Sequence, residues 1–170
     1  NWAFRNGKGL TSIVVSSGNT VYDSRENCNC IIETATNKLM QGCKNSFIPD
    51  SVTSIGNYAF SGCSGLTEVT IGSGVTSIEQ YAFTNCSGLK EVIIGSGVTD
   101  IEDYAFRNCS GLIEITCHAV TAPSIKSATF INVKSGGTLY VPAGSADSYS
   151  TWMSTGNYYL GKYNWTIQEM

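Results

Sequence analysis

The sequence predicts a right-handed repeat solenoid of α/β type, dominated by short β-strands that stack into a curved parallel sheet. Three observations predict it. The first is a strict internal repeat: Phe60, Phe83 and Phe106 recur every 23 residues, each after Tyr-Ala, and each followed three residues later by a cysteine and Ser-Gly-Leu. The second is the period, which lies in the range of roughly 20–29 residues where one turn of chain carries one strand and its return. The third is composition. Hydrophobic residues make up 42% of the 170, enough for a core, and charged residues only 14%, against roughly 25% in typical domains. A polar surface built from Ser, Thr, Asn and Gly suits turn-rich β structure.

Within each repeat the leucines Leu66, Leu89 and Leu112 are followed by Val69, Val92 and Ile115, then by Ile71, Ile94 and Cys117. This L-x-x-V-x-I spacing is that of a leucine-rich unit. It predicts strands over Thr67–Ile71, Lys90–Ile94 and Ile113–Cys117. Residues two apart on a strand share a face. Val69 and Ile71 therefore face the core, and Glu68 with Thr70, Glu91 with Ile93, and Glu114 with Thr116 face outward on a predicted concave sheet. After the bend, Val75 with Ile78 and Val98 with Ile101 predict a second, weaker ladder on the opposite side. The buried ladders are Phe60, Phe83, Phe106 and Phe130, then Cys63, Cys86 and Cys109, then Leu66, Leu89 and Leu112.

The repeat extends outward in degraded form, to about six turns. Downstream the offset becomes 24: Ile125, Phe130 and Val133 replace Ile101, Phe106 and Cys109, and Leu139 and Val141 replace Ile115 and Cys117. Upstream, Cys43, Ser46, Ile48, Val52 and Ile55 sit 23 residues before Leu66, Val69, Ile71, Val75 and Ile78. Asn1–Val15 reads as one more half-copy. It starts in mid-repeat, so further repeats are expected before it. Phe4 and Phe60 are 56 residues apart, two periods plus ten. The surplus is assigned to an insertion within about 16–42, expected to project as a loop or short hairpin, with a strand candidate at Cys30–Thr34 and a turn at Asn37-Lys38. Residues 1–142 thus form the solenoid. Residues 143–170 leave the pattern and are rich in Tyr and Trp. They are expected to cap it, with a short helix over Ser145–Met153 and a terminal strand over Trp165–Gln168.

Several function classes fall away. The net charge is -3, the pI is near 5.0 and no basic run occurs, so attraction to nucleic acid is weak. No apolar stretch approaches the ~20 residues that span a bilayer. His118 is the sole histidine and has no adjacent carboxylate to orient it as a catalytic base. The recurring Ser-Gly and Gly-Ser-Gly lack the lysine of a phosphate-binding loop. Nothing calls for a cofactor, and the protein is not expected to be an enzyme.

Cys63, Cys86 and Cys109 resemble a metal or disulfide set, but Val133 takes the same place in the next turn, so packing is the simpler reading. Cys28, Cys30 and Cys43 lack a fourth zinc ligand. The count of seven cysteines leaves at least one unpaired in a monomer. Glu68, Glu91 and Glu114 form an acidic ladder. It is either a stripe for a basic partner or weak calcium, or a solubilising residue copied with the repeat. Lys90 stands ready to relieve part of its repulsion. Tyr58, Tyr81 and Tyr104 make a second ladder, read first as packing. Tyr22, Asp23, Arg25 and Glu26 in the insertion are either a projecting contact patch or an internal brace. Asn85-Cys86-Ser87, Asn108-Cys109-Ser110 and Asn164-Trp165-Thr166 match a glycosylation pattern, the first two with their Cys in the core.

The unit I-G-x-x-A-F-x-x-C-x-x-L-x-x-V-x-I-x-x-x-V-x-x-I, followed from Ile55 through Ile78 and again, with Glu79 for Gly, through Ile101, resembles the BspA-like leucine-rich repeat family. The family's usual proline after the strand appears in Ile48-Pro49 and Val141-Pro142, with Gly72 and Gly95 in its place elsewhere. Gly18–Thr34 looks like an insertion found in family members of Bacteroides type, and Leu139–Ser145 resembles the family's last repeat. The resemblance implies an extracellular or cell-surface protein that binds a host or bacterial protein or glycan. It implies a non-catalytic adhesion module, or else a spacer displaying another domain. The binding face is then Glu68, Thr70, Lys90, Glu91, Ile93, Glu114 and Thr116, together with Tyr22 and Arg25 of the insertion.

Overall fold

A computed structural model of the chain describes residues 9–170. Phe4 and the first half of the Asn1–Val15 copy lie outside the described residues. Twelve short strands are arranged along the described chain: β1 Tyr22–Asp23, β2 Ile31–Glu33, β3 Lys38–Gln41, β4 Ser54–Ile55, β5 Glu68–Ile71, β6 Ser77–Ile78, β7 Glu91–Ile94, β8 Asp100–Ile101, β9 Glu114–Cys117, β10 Ser124–Ile125, β11 Thr138–Val141 and β12 Thr166–Glu169. They form two sheets. One has five strands in the order β12-β11-β9-β7-β5, and the other has seven in the order β1-β2-β3-β4-β6-β8-β10. The chain coils between them, so each turn adds one strand to each sheet.

Pairing follows the period. Val69 lies beside Val92 and Val92 beside Ile115, all in parallel strands. The 24-residue step carries the register on, setting Leu139 beside Ile115. On the other side Ile55, Ile78, Ile101 and Ile125 stand in one row. Inward residues alternate with outward ones: the burial pattern of β7, β9 and β11 places every second side chain in the core. Leu66, Leu89, Leu112 and the four Phe side chains fill the space between the sheets.

Three expectations change. The insertion forms the expected hairpin, with a strand within Cys30–Thr34 and a turn ending at Asn37, but it joins the sheet instead of projecting. Its strands β1 and β2 pair antiparallel, β2 pairs antiparallel with β3, and β3 joins β4 in parallel. The physical reason is its own apolar content: Cys28, Cys30, Ile32 and Leu39 are completely buried and close one end of the core. Second, Ser46–Ile48 is not a strand, although the repeat places it beside β5. Third, no α-helix occurs among the described residues. Helical chain is limited to 3-10 segments at Arg25–Asn27, Ala146–Tyr149 and Leu160–Tyr163. The expected helix over Ser145–Met153 shrinks to the second of these, and Tyr149 and Trp152 are both buried over the last repeat. The terminal strand pairs with β11, Ile167 beside Leu139.

Candidate functional site

The outward face of the five-stranded sheet is built by register. Glu68, Glu91, Glu114 and Thr138 form one row, and Thr70, Ile93, Thr116 and Tyr140 the next. Glu68, Thr70 and Lys90 are exposed, and Glu91, Ile93, Glu114 and Thr116 are half-buried by their neighbours. Neighbours within a row, one strand apart, lie about 4.8 Å from each other. Like charges at that spacing repel by on the order of 1 kcal/mol even in water. Among the described residues no ion pair or hydrogen bond engages the side chains of Glu68, Glu91, Glu114 or Lys90. Lys90, exposed just before β7, makes no ion pair with Glu91 among the described residues.

Three ion pairs lie elsewhere among the described residues. Lys38 pairs with Glu79 at 2.6 Å and Lys126 with Asp100 at 3.8 Å. Arg25 pairs with Asp23 at 2.7 Å and donates to Asn37 Oδ1 at 2.8 Å and to Ser51 Oγ at 3.2 Å. The Arg25 guanidinium bonded to Asp23 holds that carboxyl below its usual range. Arg25 thus clasps the insertion to the solenoid, and Tyr22 sits half-buried opposite Glu33 in the β1–β2 pair. The structure does not bring Tyr22 and Arg25 onto the sheet face.

The ladders lie inside. Phe60, Phe83, Phe106 and Phe130 stack with ring centroids 5.0, 5.3 and 5.8 Å apart. All seven cysteines are buried free thiols. The thiol of Cys86 donates to Phe60 O at 3.0 Å, that of Cys109 to Phe83 O at 3.2 Å and that of Cys63 to Gly42 O at 3.7 Å. Burial pushes the Cys63 and Cys109 thiols up to about 12, so neither is poised as a nucleophile. Among the described residues no group of three His, Cys, Asp or Glu is placed to hold a metal. Tyr58, Tyr81 and Tyr104 stack at 4.7 Å, each in a left-handed backbone conformation.

A further row is formed by asparagines at the corner before Cys86, Cys109 and Val133. Asn108 Nδ2 donates to Asn85 Oδ1 at 2.7 Å, and Asn132 Nδ2 to Asn108 Oδ1 at 3.0 Å. All three have positive φ, as does Gly62 one turn earlier. Gly62 followed by Asn85, Asn108 and Asn132 at one register position is the sequence signal of a left-handed corner.

A model of the BspA type leucine rich repeat region matches residues 36–149 in six copies. A search of curated proteins found no match. Among solved structures, a leucine-rich repeat protein from Eubacterium ventriosum aligns with a TM-score of 0.65 at 23% identity over 84% of this chain and 39% of its own. Another from Bacteroides capillosus gives 0.58 at 24% identity, over 76% and 98%. A leucine rich cell surface protein from Faecalibacterium prausnitzii gives 0.53 at 22% identity, over 93% and 47%. The chain thus spans well under half the length of the Eubacterium protein. These likenesses show a shared fold, and the six matched copies extend over the 23-residue turns whose Phe, Cys and Leu ladders build the core. The chain belongs to the BspA type leucine-rich repeat family.

Proposed function

We propose that the chain is a non-catalytic recognition module of a cell-surface or secreted protein, which binds an extracellular protein or glycan through the outward face of β5, β7 and β9. The observation that carries this reading is the uncommitted row Glu68, Glu91 and Glu114 beside Thr70, Ile93 and Thr116. Three carboxylates in register on one sheet face, without internal partners, present a site whose repulsion a cationic partner would relieve. The half-buried Ile93 and Tyr140 and the exposed Ile113 add apolar area between the charges. The surface location is carried over from the printed name of the Faecalibacterium relative and from the family.

The test is binding of the purified chain to arrayed matrix proteins, mucins and glycans, with calcium and with chelator. Saturable binding to one class, weakened at least about tenfold by Glu68→Gln, Glu91→Gln and Glu114→Gln together, supports the reading. The equivalent loss is ~1.4 kcal/mol. Binding lost only in chelator assigns the acidic row to weak calcium. Absence of binding by folded protein favours a spacer that displays another domain.

A further inference from the structure

The strand β5 is the edge of its sheet, although another turn of chain runs beside it. By register Ser46 and Ile48 belong next to Val69 and Ile71, yet no backbone hydrogen bond joins residues 43–49 to β5 among the described residues. The insertion has captured that segment. Phe47 N–H donates to Cys28 O at 3.3 Å, the Cys30 thiol donates to Phe47 O at 3.3 Å, and Asn29 Nδ2 donates to Asn45 O at 3.2 Å. Ser46 stands where the other turns have an apolar ladder residue, and its hydroxyl donates to Asn29 O at 2.6 Å.

Glycines at equivalent positions register the separation. A Cβ on Gly88 would lie 2.2 Å from Ser64 O, and one on Gly95 2.6 Å from the backbone of Gly72 and Ser73, so those turns are in close contact. One turn earlier, the nearest atoms to a Cβ on Gly65 belong to the Lys44 side chain, and a Cβ on Gly72 meets only the Asp50 carboxylate, at 3.4 Å. Contact resumes at Gly74, whose Cβ would lie 2.8 Å from Asp50 O. The result is a slot of about 470 Å³ between Lys44–Asp50 and β5.

The slot is lined by main-chain donors. Glu91 N–H donates to Thr67 O and Gly95 N–H to Ile71 O, each toward the preceding turn. The same parallel register directs the N–H groups of Glu68, Thr70 and Gly72 away from β7 and into the slot. None of the three has a backbone acceptor among the described residues. An open strand edge is a template for one more strand. Charge narrows the partner: Glu68 and Asp50 outnumber Lys44 around the slot, and Phe47, 46% exposed, supplies an apolar wall.

We propose that this slot receives an extended basic polypeptide segment, added as a strand on the β5 edge. Four residues of extended chain span roughly 13 Å, the length of β5. Recognition here is through the main chain, and so goes beyond the side-chain recognition proposed for the sheet face. The probe is a synthetic peptide, acetyl-Thr-Lys-Val-Lys-Val-Thr-amide, with two controls: the same peptide N-methylated at alternate residues, and one with Glu for Lys. Amide hydrogen exchange is read by NMR. In the free protein Thr70 N–H is expected to exchange at least about tenfold faster than Ile93 N–H, its register equivalent. The lysine peptide slows Thr70 exchange at least about tenfold, and neither control does. Thr70→Pro removes the central donor and abolishes the effect. Should that variant not fold, Glu68→Lys provides the second test and weakens lysine-peptide binding about tenfold. Equal protection of Thr70 and Ile93 in the free protein overturns the proposal. So does a lysine peptide without effect, or one matched by its N-methylated control. The readout is the β5 amides with a defined peptide, so failure of array binding through the sheet face leaves this result independent.

Discussion

At the residue scale the molecule depends on side chains that repeat at contact distance, because each turn lays the same residue about 4.8 Å from its copy. For Phe83 this means flat stacking on both neighbours inside the core. For Asn108 it means accepting from Asn132 and donating to Asn85 while its backbone stays left-handed at φ 59°. The two contributions separate by substitution. Asn108→Gly keeps the backbone geometry and loses the ladder bonds, each worth about 0.5–1.5 kcal/mol. Asn108→Val loses the bonds and adds about 1–2 kcal/mol of left-handed strain on a β-branched residue. Urea unfolding should therefore rank wild type above Asn108→Gly and Asn108→Gly above Asn108→Val. Equal stability of the two variants would show that the corner tolerates an L side chain without strain. The buried thiols follow the same logic. Cys86 and Cys109 each fill a small site and satisfy a carbonyl of the preceding turn, a packing role that Val133 fills without a donor in the last repeat.

At the element scale the insertion matters most. Residues 16–42 carry no copy of the repeat, so their length alone suggests an excursion. Instead β1–β3 continue the seven-stranded sheet and cover its end. The Asp23–Arg25 clasp holds this element through Asn37 and Ser51. The Asp23 carboxyl is lowered from its ordinary value of 3.8, chiefly by its hydrogen bond from Arg25. Its stabilisation is therefore fully present above that value and is lost as pH falls through the lower folded value. Asp23→Asn lacks this contribution. Melting curves should place wild type above Asp23→Asn near neutral pH and bring the two together in strong acid. A gap that persists unchanged at the lowest pH would mean that the clasp acts through packing rather than charge.

At the scale of the whole molecule, a stacked array needs both ends covered. The described C-terminal residues cover one. Trp152 lies 5.4 Å from Phe130 and donates its indole N–H to Pro123 O at 2.9 Å, Tyr149 donates to Ala119 O at 2.6 Å, and Trp165 donates to Lys134 O at 2.7 Å. These aromatic rings cover the last apolar layer, and their polar tips satisfy carbonyls that another turn would have met. We propose that residues 143–170 act as a cap of the solenoid at 1–142. Trp152→Ala should cost about 3–5 kcal/mol, with early loss of hydrogen-exchange protection in β11 and β12 before β7. Uniform loss across all turns would show a single cooperative unit instead of an end cap. Much of this architecture was legible in the sequence. The 23-residue period placed Leu66, Val69 and Ile71 in the core and Glu68 and Thr70 outside, because alternation along a strand and identity between turns are local and periodic properties. The sequence alone did not tell that Ser46–Ile48 would leave β5 for the loop at Cys28–Cys30, or which of its two alternatives Arg25 would take, bonding to Asn37 and Ser51. Those outcomes are competitions between hydrogen-bond partners distant along the chain, and only the folded packing brings the rivals together and decides which of them wins.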